Sequence, residues 1–148
     1  KANNHDLYGG VGLMAAAVAN KDKETKIISV ESDTKAVDYA SANLSFAPHA
    51  RSVEARVDKY LKQTLDNGGR LNGATIVMDP PRVGAGRDTM QNLTAMKPAQ
   101  IIYVACDPVA LARDVEYASQ AGYQLAEIKA FDLFPNTHHF EAVARLTL

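Results

Sequence analysis

Ile101-Ile102-Tyr103-Val104-Ala105-Cys106-Asp107-Pro108-Val109-Ala110-Leu111-Ala112-Arg113-Asp114-Val115 reads as a strand, a sharp turn and a helix in one short run. Ile101 to Ala105 is rich in β-branched and aromatic types and suits a buried strand. Asp107 and Pro108 stop it, and Pro108 fits the first position of the helix that follows, where its missing N–H is not needed. Cys106 therefore sits at the carboxyl end of a strand and beside a helix N-terminus. In open α/β sheets that edge is where ligands bind, and the partial positive charge of the helix favours a thiolate there. A lone Cys is more often a small buried hydrophobe, so the remainder of the chain has to decide between packing and chemistry.

The same alternation repeats on both sides. Asp6 to Tyr8 ends a first strand, Gly9-Gly10-Val11-Gly12 turns, and Leu13 to Asn20 is a small-residue helix. Thr25 to Val30 is a strand with Glu31 at its end, and Thr34 to Leu44 a helix capped by Asp33 or Thr34. Ser52 to Val57 reads as a third strand with Asp58 at its tip, and Tyr60 to Leu65 as a short helix. Ala74 to Met78 is a fourth strand, stopped by Asp79-Pro80-Pro81-Arg82, and a helix runs from about Thr89 to Met96. After the Cys106 unit, Gln124 to Phe131 and Phe140 to Leu148 are strands with no helix between them. Strand–helix alternation predicts an α/β fold, a doubly wound sheet with helices on both faces. The loop of roughly eight residues before the last strand forces a hairpin, so the sheet is mostly parallel with one antiparallel C-terminal strand. That Rossmann-like order with a terminal hairpin resembles class I methyltransferases; a plain dinucleotide-binding domain lacks the hairpin.

At 148 residues the chain, 1–148, has the size of one domain with a full core. A single Cys rules out an intrachain disulfide and fits a reducing, cytoplasmic setting. No apolar run approaches the ~20 residues of a membrane span, and no signal peptide is evident. The net charge of −1 means that any nucleic-acid contact must use local basic residues or another domain; Arg51, Arg82, Arg87 and Arg113 are candidates. The polar, abrupt start at Lys1 looks like the cut end of something longer.

Gly10-Val11-Gly12-Leu13-Met14-Ala15 loosely matches a glycine-rich cofactor turn, and Glu31 lies at the distance of a ribose-binding acid. Both NAD and S-adenosylmethionine fit that pattern. Asp6, Glu31, Asp58 and Asp79 all fall at strand ends, however, and an acidic rim suits a sulfonium better than a pyrophosphate. Glu31 can take both ribose hydroxyls and Asp58 an adenine amino group. In Asp79-Pro80-Pro81-Arg82 the prolines fix an acid at the mouth of the site, and Arg82 can grip a phosphate. His138, His139 and Glu141 have no metal-site spacing, so no metal is expected. Glu141, entering a strand beside Phe140, is a candidate general base.

These segments, in this order, resemble the S-adenosylmethionine-dependent RNA uracil-C5 methyltransferases that act on tRNA or rRNA. The segments are Asp6-Leu7-Tyr8-Gly9-Gly10-Val11-Gly12, Asp79-Pro80-Pro81-Arg82, Tyr103-Val104-Ala105-Cys106-Asp107-Pro108 with Leu111-Ala112-Arg113-Asp114, and Asp132-Leu133-Phe134-Pro135-Asn136-Thr137-His138-His139-Phe140-Glu141. The resemblance covers nearly the whole chain and implies a C-terminal catalytic domain, with RNA-binding and central domains upstream of it. It implies Cys106 as nucleophile, Glu141 as the base that removes the C5 proton, and Asp79 as the group that orients the pyrimidine or the nucleophile. Asp6, Tyr8, Gly10, Gly12, Glu31, Asp58 and Asp79 would hold S-adenosylmethionine, leaving S-adenosylhomocysteine as product, and Arg82 and His139 would hold the RNA. Two positions depart from the family pattern. Gly9 stands where a Cys is frequent, and Asp107 stands where Asn is common, which sets a negative charge beside Cys106 that would oppose a thiolate. The alternatives are methylation of cytosine C5 or of a base nitrogen, and a non-catalytic cofactor- or RNA-binding module.

Overall fold

Seven extended segments share one sheet. The computed structural model describes residues 2–133, 135, 136 and 140–148. The strands are β1 (Asn4–Leu7), β2 (Ile27–Glu31), β3 (Ala50–Glu54), β4 (Thr75–Met78), β5 (Gln100–Ala105), β6 (Gln124–Phe131) and β7 (Glu141–Thr147). The helices between them are α1 (Leu13–Lys21), α2 (Thr34–Asn43), α3 (Val57–Asp66), α4 (Arg87–Ala95) and α5 (Pro108–Gln120). The strand order is β3-β2-β1-β4-β5-β7-β6. The first five strands are mutually parallel, and β7 runs antiparallel to both its neighbours. The doubly wound sheet with one reversed C-terminal strand is therefore present as the sequence predicts. Chain direction reverses across the sheet between β1 and β4, the switch point where such folds open a crevice.

The two faces are covered by different helices. Val57 and Leu61 of α3, Met90 and Leu93 of α4, and Leu111 and Ala118 of α5 close over Leu7, Ile76, Met78, Ile101, Tyr103 and Leu146. Ala15 and Ala19 of α1 pack with Ile27, Leu44 and Ala47 on the other side. Small residues in α1 let it lie close to the sheet, which is why that helix shows little apolar periodicity. Alternation along β5 and β7 sends Ile101, Tyr103, Ala105, Ala142, Ala144 and Leu146 into the first core.

One boundary departs from expectation and moves a site residue. The third strand ends at Glu54, not Val57, and Asp58 is not at a strand tip but in the first turn of α3. Arg56 is extended and serves as N-cap, and Val57 is drawn into the core as the first helical residue. Tertiary burial here overrides the β-preference of a branched side chain. An acidic residue in the first turn is favoured by the positive end of the helix.

His5, on the interior strand β1, is 3% exposed, with Nδ1 3.0 Å from the Asn3 carbonyl and Nε2 2.9 Å from the Tyr60 hydroxyl. Burial lowers its pKa from 6.5 to about 4, against the Asn3 hydrogen bond, which pulls the other way. The unfolded chain thus takes up this proton first as the pH falls. Stability from neutral His5 is complete above pH 6.5 and is lost as pH falls towards 4, on the order of 3 kcal/mol. His5→Gln keeps an amide donor and acceptor but cannot titrate. Urea unfolding should show the variant gaining on the parent steadily between pH 6.5 and 4; parallel curves would contradict a buried neutral histidine.

Candidate active site

The carboxyl ends of β1, β2, β4 and β5 build the site. After β1 the chain turns through Tyr8 (φ 61), Gly10 (φ 52) and Gly12 (φ 81), all left-handed. A Cβ on Gly12 would lie 3.1 Å from Ala40 Cβ, so glycine there lets α1 and α2 approach. A Cβ on Gly10 would meet no protein atom within 4 Å; it faces open space, which suits close backbone approach by a ligand. Beneath the turn lies Asp6, 1% exposed, whose Oδ2 accepts from Ala15 N at 2.9 Å. Burial raises its pKa to about 6, opposed by that hydrogen bond and reinforced by nearby Asp79 and Glu31. Asp6 therefore supports the glycine turn from below and is not part of the cavity wall.

Glu31 ends β2 and is held by four donors. Oε1 accepts from Ser32 N (2.6 Å), Ser32 Oγ (3.2 Å) and Asp33 N (2.9 Å), and Oε2 from Gly10 N (3.0 Å). Partial desolvation works to raise its pKa, but the N–H bonds outweigh it, so the carboxyl is held below its ordinary value. Its open acceptor capacity lies on Oε2, so the carboxylate offers a hydroxyl pair less than the sequence alone suggests. Asp58 is gripped by Arg56, Nε to Oδ1 and Nη2 to Oδ2 both at 3.1 Å. Asp79 follows β4, tied by its own N–H to Leu7 O at 3.2 Å. Desolvation raises the pKa of its carboxyl. A cavity of about 990 Å³ opens among these groups, lined by Tyr8, Glu31, Asp58, Asp79, Gly86 and Thr89 among others. Burial raises the Tyr8 pKa; its hydroxyl hydrogen-bonds Thr89, which joins the β1 turn to α4.

Cys106 follows β5 and is partly exposed. The β5–β7 ladder ends with Ala105 paired with Ala142, so Cys106 leaves β5 at the end of the sheet where β7 begins with Glu141. Alternation along β7 puts Glu141 on the face of Val143, away from the core of Ala142 and Ala144. Asp79 directly follows β4 at the same carboxyl edge. Asp107 caps α5, its carboxylate accepting from Ala110 N at 2.8 Å. Its carboxylate is thus engaged by the helix terminus.

The structure brings Tyr8, Glu31, Asp58 and Asp79 to one cavity, whose lining does not include Cys106 or Glu141; these two flank the last β5–β7 pair, Ala105 with Ala142, at the same edge of the sheet. Arg82 is exposed in the loop after β4. His139 lies outside the described residues, as does His138. Among the described residues, no group of three or more His, Cys, Asp or Glu side chains is placed to hold a metal ion. No helix among the described residues is long and apolar enough to cross a membrane. Two of the arginines expected to meet phosphate are engaged within the protein: Arg87 lies 5.5 Å over the Tyr117 ring, and Arg113 pairs with Asp114 at 2.9 Å. Sequence reading missed Arg56, Thr89 and Asp114. Asp114 is in the quoted Leu111-Ala112-Arg113-Asp114 segment, but nothing in a sequence reveals what a helical acid faces.

The pattern of the tRNA (uracil-5-)-methyltransferase family matches residues 2–147. An RNA methyltransferase of Streptomyces avermitilis is 44% identical over 143 residues, 95% of this chain and 32% of that protein. One from Thermotoga maritima is 36% identical over 95% of this chain and 31% of its own length. The chain thus spans about a third of the curated relatives it matches. Among solved structures, the Pyrococcus abyssi tRNA (uracil-54, C5)-methyltransferase in complex with S-adenosyl-L-homocysteine is similar, with a TM-score of 0.80 and 30% identity. That match covers 99% of this chain and 34% of the other. NSun6 from Pyrococcus horikoshii, at 14% identity and a TM-score of 0.78, shares the fold.

Glycine at position 9 has a local cause. Ser29 is fully buried on β2, opposite Asp6, and its Oγ occupies the space where a Cβ on residue 9 would go. Asp6 Oδ2 would stand 3.2 Å from the same Cβ. Gly9→Ala should cost about 1–3 kcal/mol through overpacking. Gly9→Ala with Ser29→Ala should recover most of that loss in a urea-unfolding double-mutant cycle. Simple additivity of the two would show that the residues do not compete for space.

Proposed function

The chain belongs to the tRNA (uracil-5-)-methyltransferase family, and from that premise we propose that it is the catalytic domain of a longer enzyme that methylates C5 of a uridine in RNA. S-adenosylmethionine is the methyl donor in this reading. The observation that supports it best is the β5–β7 register, whose last pair, Ala105 with Ala142, puts the residue after β5, Cys106, and the first residue of β7, Glu141, at the same end of the sheet. In this reading two roles, nucleophile and base, fall to residues distant in sequence that meet at that end.

The residues present fit the cofactor. Gly10 opens onto free space, Glu31 Oε2 has acceptor capacity for a ribose hydroxyl, and the acidic wall complements a positive sulfonium. Asp58 accepts from an adenine amino group only by sharing its oxygens with Arg56. When bound, S-adenosylmethionine supplies an electrophilic methyl group. The protein's task is to make uracil C5 nucleophilic enough to take it. Cys106 thiolate adds to C6, which moves the ring electrons towards O4 and leaves C5 as an enolate carbon. Asp79, its proton held more tightly by desolvation, orients the pyrimidine. After C5 is methylated, Glu141 removes the C5 proton; the electron pair returns and expels Cys106. Attack at C6 needs an unstacked base, so the substrate uridine is single-stranded or flipped out. Arg82, exposed in the loop after β4, is available to meet a phosphate.

In the full-length enzyme, Cys106→Ala should abolish methyl transfer. Glu141→Gln should accumulate a protein–RNA adduct that survives denaturing gel electrophoresis. Normal turnover by Glu141→Gln would remove Glu141 from the mechanism, and retained activity in Cys106→Ala would select methylation at a base nitrogen. S-adenosylmethionine should raise the melting temperature, and Glu31→Ala should diminish that shift; an equal shift in both would place the cofactor elsewhere.

A further inference from the structure

Asp114 is fully buried on α5, and its carboxylate is saturated with donors. Tyr103 Oη donates to Oδ2 at 2.6 Å, Ala85 N to Oδ2 at 2.6 Å and Gly86 N to Oδ1 at 3.2 Å. Arg113 adds Nε at 3.1 Å and Nη2 at 2.9 Å, both to Oδ1. The same Arg113 Nη2 donates to Val83 O at 2.7 Å. Three backbone groups of one loop, at Val83, Ala85 and Gly86, are therefore bound by the Arg113–Asp114 pair. Gly84, at φ +79, lies so close that a Cβ would stand 2.5 Å from Arg113 Nη2 and 2.6 Å from Asp114 Oδ2.

That loop is the continuation of Asp79-Pro80-Pro81. At its start Asp79 is tied to β1 through Leu7 O, and the two prolines restrict the backbone that follows. At its end Gly86 is the N-cap of α4, whose Thr89 lines the cavity. The N-terminus of α5, meanwhile, follows directly on Cys106 and is capped by Asp107. One helix thus carries the thiol at its start and holds the Asp79 loop two turns later. A buried carboxylate is costly unless its partners satisfy it, and an apolar residue would serve if only packing against Tyr103 were needed. Two of the donors that Asp114 satisfies, the Ala85 and Gly86 N–H groups, lie on the loop, and Arg113, which also donates to Asp114, holds the loop's Val83 carbonyl.

We propose that Asp114 is a positioning residue: by docking residues 83–86 on α5 it fixes Asp79 relative to Cys106. The inference rests on the reaction proposed above. Misplacing a reacting group by about 1 Å costs on the order of 100-fold in rate, which sets the effect to look for. The test uses Asp114→Asn and, as a milder change that keeps the buried carboxylate, Tyr103→Phe, which removes one donor and leaves the loop amides in place. In the full-length enzyme, hydrogen–deuterium exchange read by mass spectrometry should accelerate about tenfold or more in peptides covering 81–88 of Asp114→Asn. Peptides from β1 to β3 should be unchanged. The kcat for methyl transfer should fall about 100-fold with KM for RNA altered less than about threefold. Tyr103→Phe should show both effects in the same direction and smaller.

Unchanged exchange in 81–88 would overturn the docking role, and a loosened loop with unaltered kcat would overturn the positioning role. Exchange that rises throughout the sheet of both variants, with kcat and KM worsening together, would mark a merely structural residue and also overturn it. Methylation by the parent enzyme at an atom other than uridine C5 would sink the functional reading alone. The exchange pattern would still decide whether Asp114 holds the loop.

Discussion

Glu141 lies at the Cys106 end of the sheet because the last strand runs backwards. A seventh parallel strand would begin at the opposite edge of the sheet and carry Glu141 there, the length of a strand away from the thiol. The hairpin returns the chain at the carboxyl edge, and the Ala105–Ala142 pair fixes the register at that end. Because side chains alternate with a period of two, a slip of one residue would turn Glu141 to the other face. Ala142, Ala144 and Leu146 guard against that slip, since all three are fully buried and any shift would expose them. The core thus enforces the geometry of two residues that contribute nothing to it.

Around this pair the chain concentrates carboxyl groups and treats each differently. Asp6 is buried beneath the glycine turn and its proton affinity rises. Glu31 is laced with N–H donors and its proton affinity falls. Asp58 is neutralised by Arg56, Asp107 by a helix terminus, and Asp114 by Arg113 and a loop. Asp79 lines the cavity beside Glu31, and there desolvation is the cause that raises the proton affinity of its carboxyl. Placement gives similar side chains different partners and different proton affinities.

Much of this was legible in the sequence because its signals are local. Strand–helix alternation, Pro108 at a helix start and the missing helix before Phe140 suffice for the sheet and its reversed strand. Cys106, Glu31 and Asp79 could be placed at strand ends for the same reason. Asp58 was misplaced because Val57, a good strand former, is held in a helix by core burial that no local pattern reports. Asp114 was passed over because its partners, Val83 to Gly86 and Tyr103, are brought to it by two crossovers. Ser29 and Gly9 illustrate the same limit, since the space one fills for the other exists only once β1 and β2 are paired.

The adjacency of residues 106 and 141 can be measured directly by disulfide trapping. Cys106 is the only cysteine in the chain, so Glu141→Cys supplies a single possible partner, and a disulfide needs Cα atoms about 4.4–6.8 Å apart. Mild oxidation followed by non-reducing peptide mapping should recover a cross-linked peptide joining the two positions in nearly all molecules. Two thiols that stay free, with the fold intact, would contradict the placement on which the proposed chemistry depends.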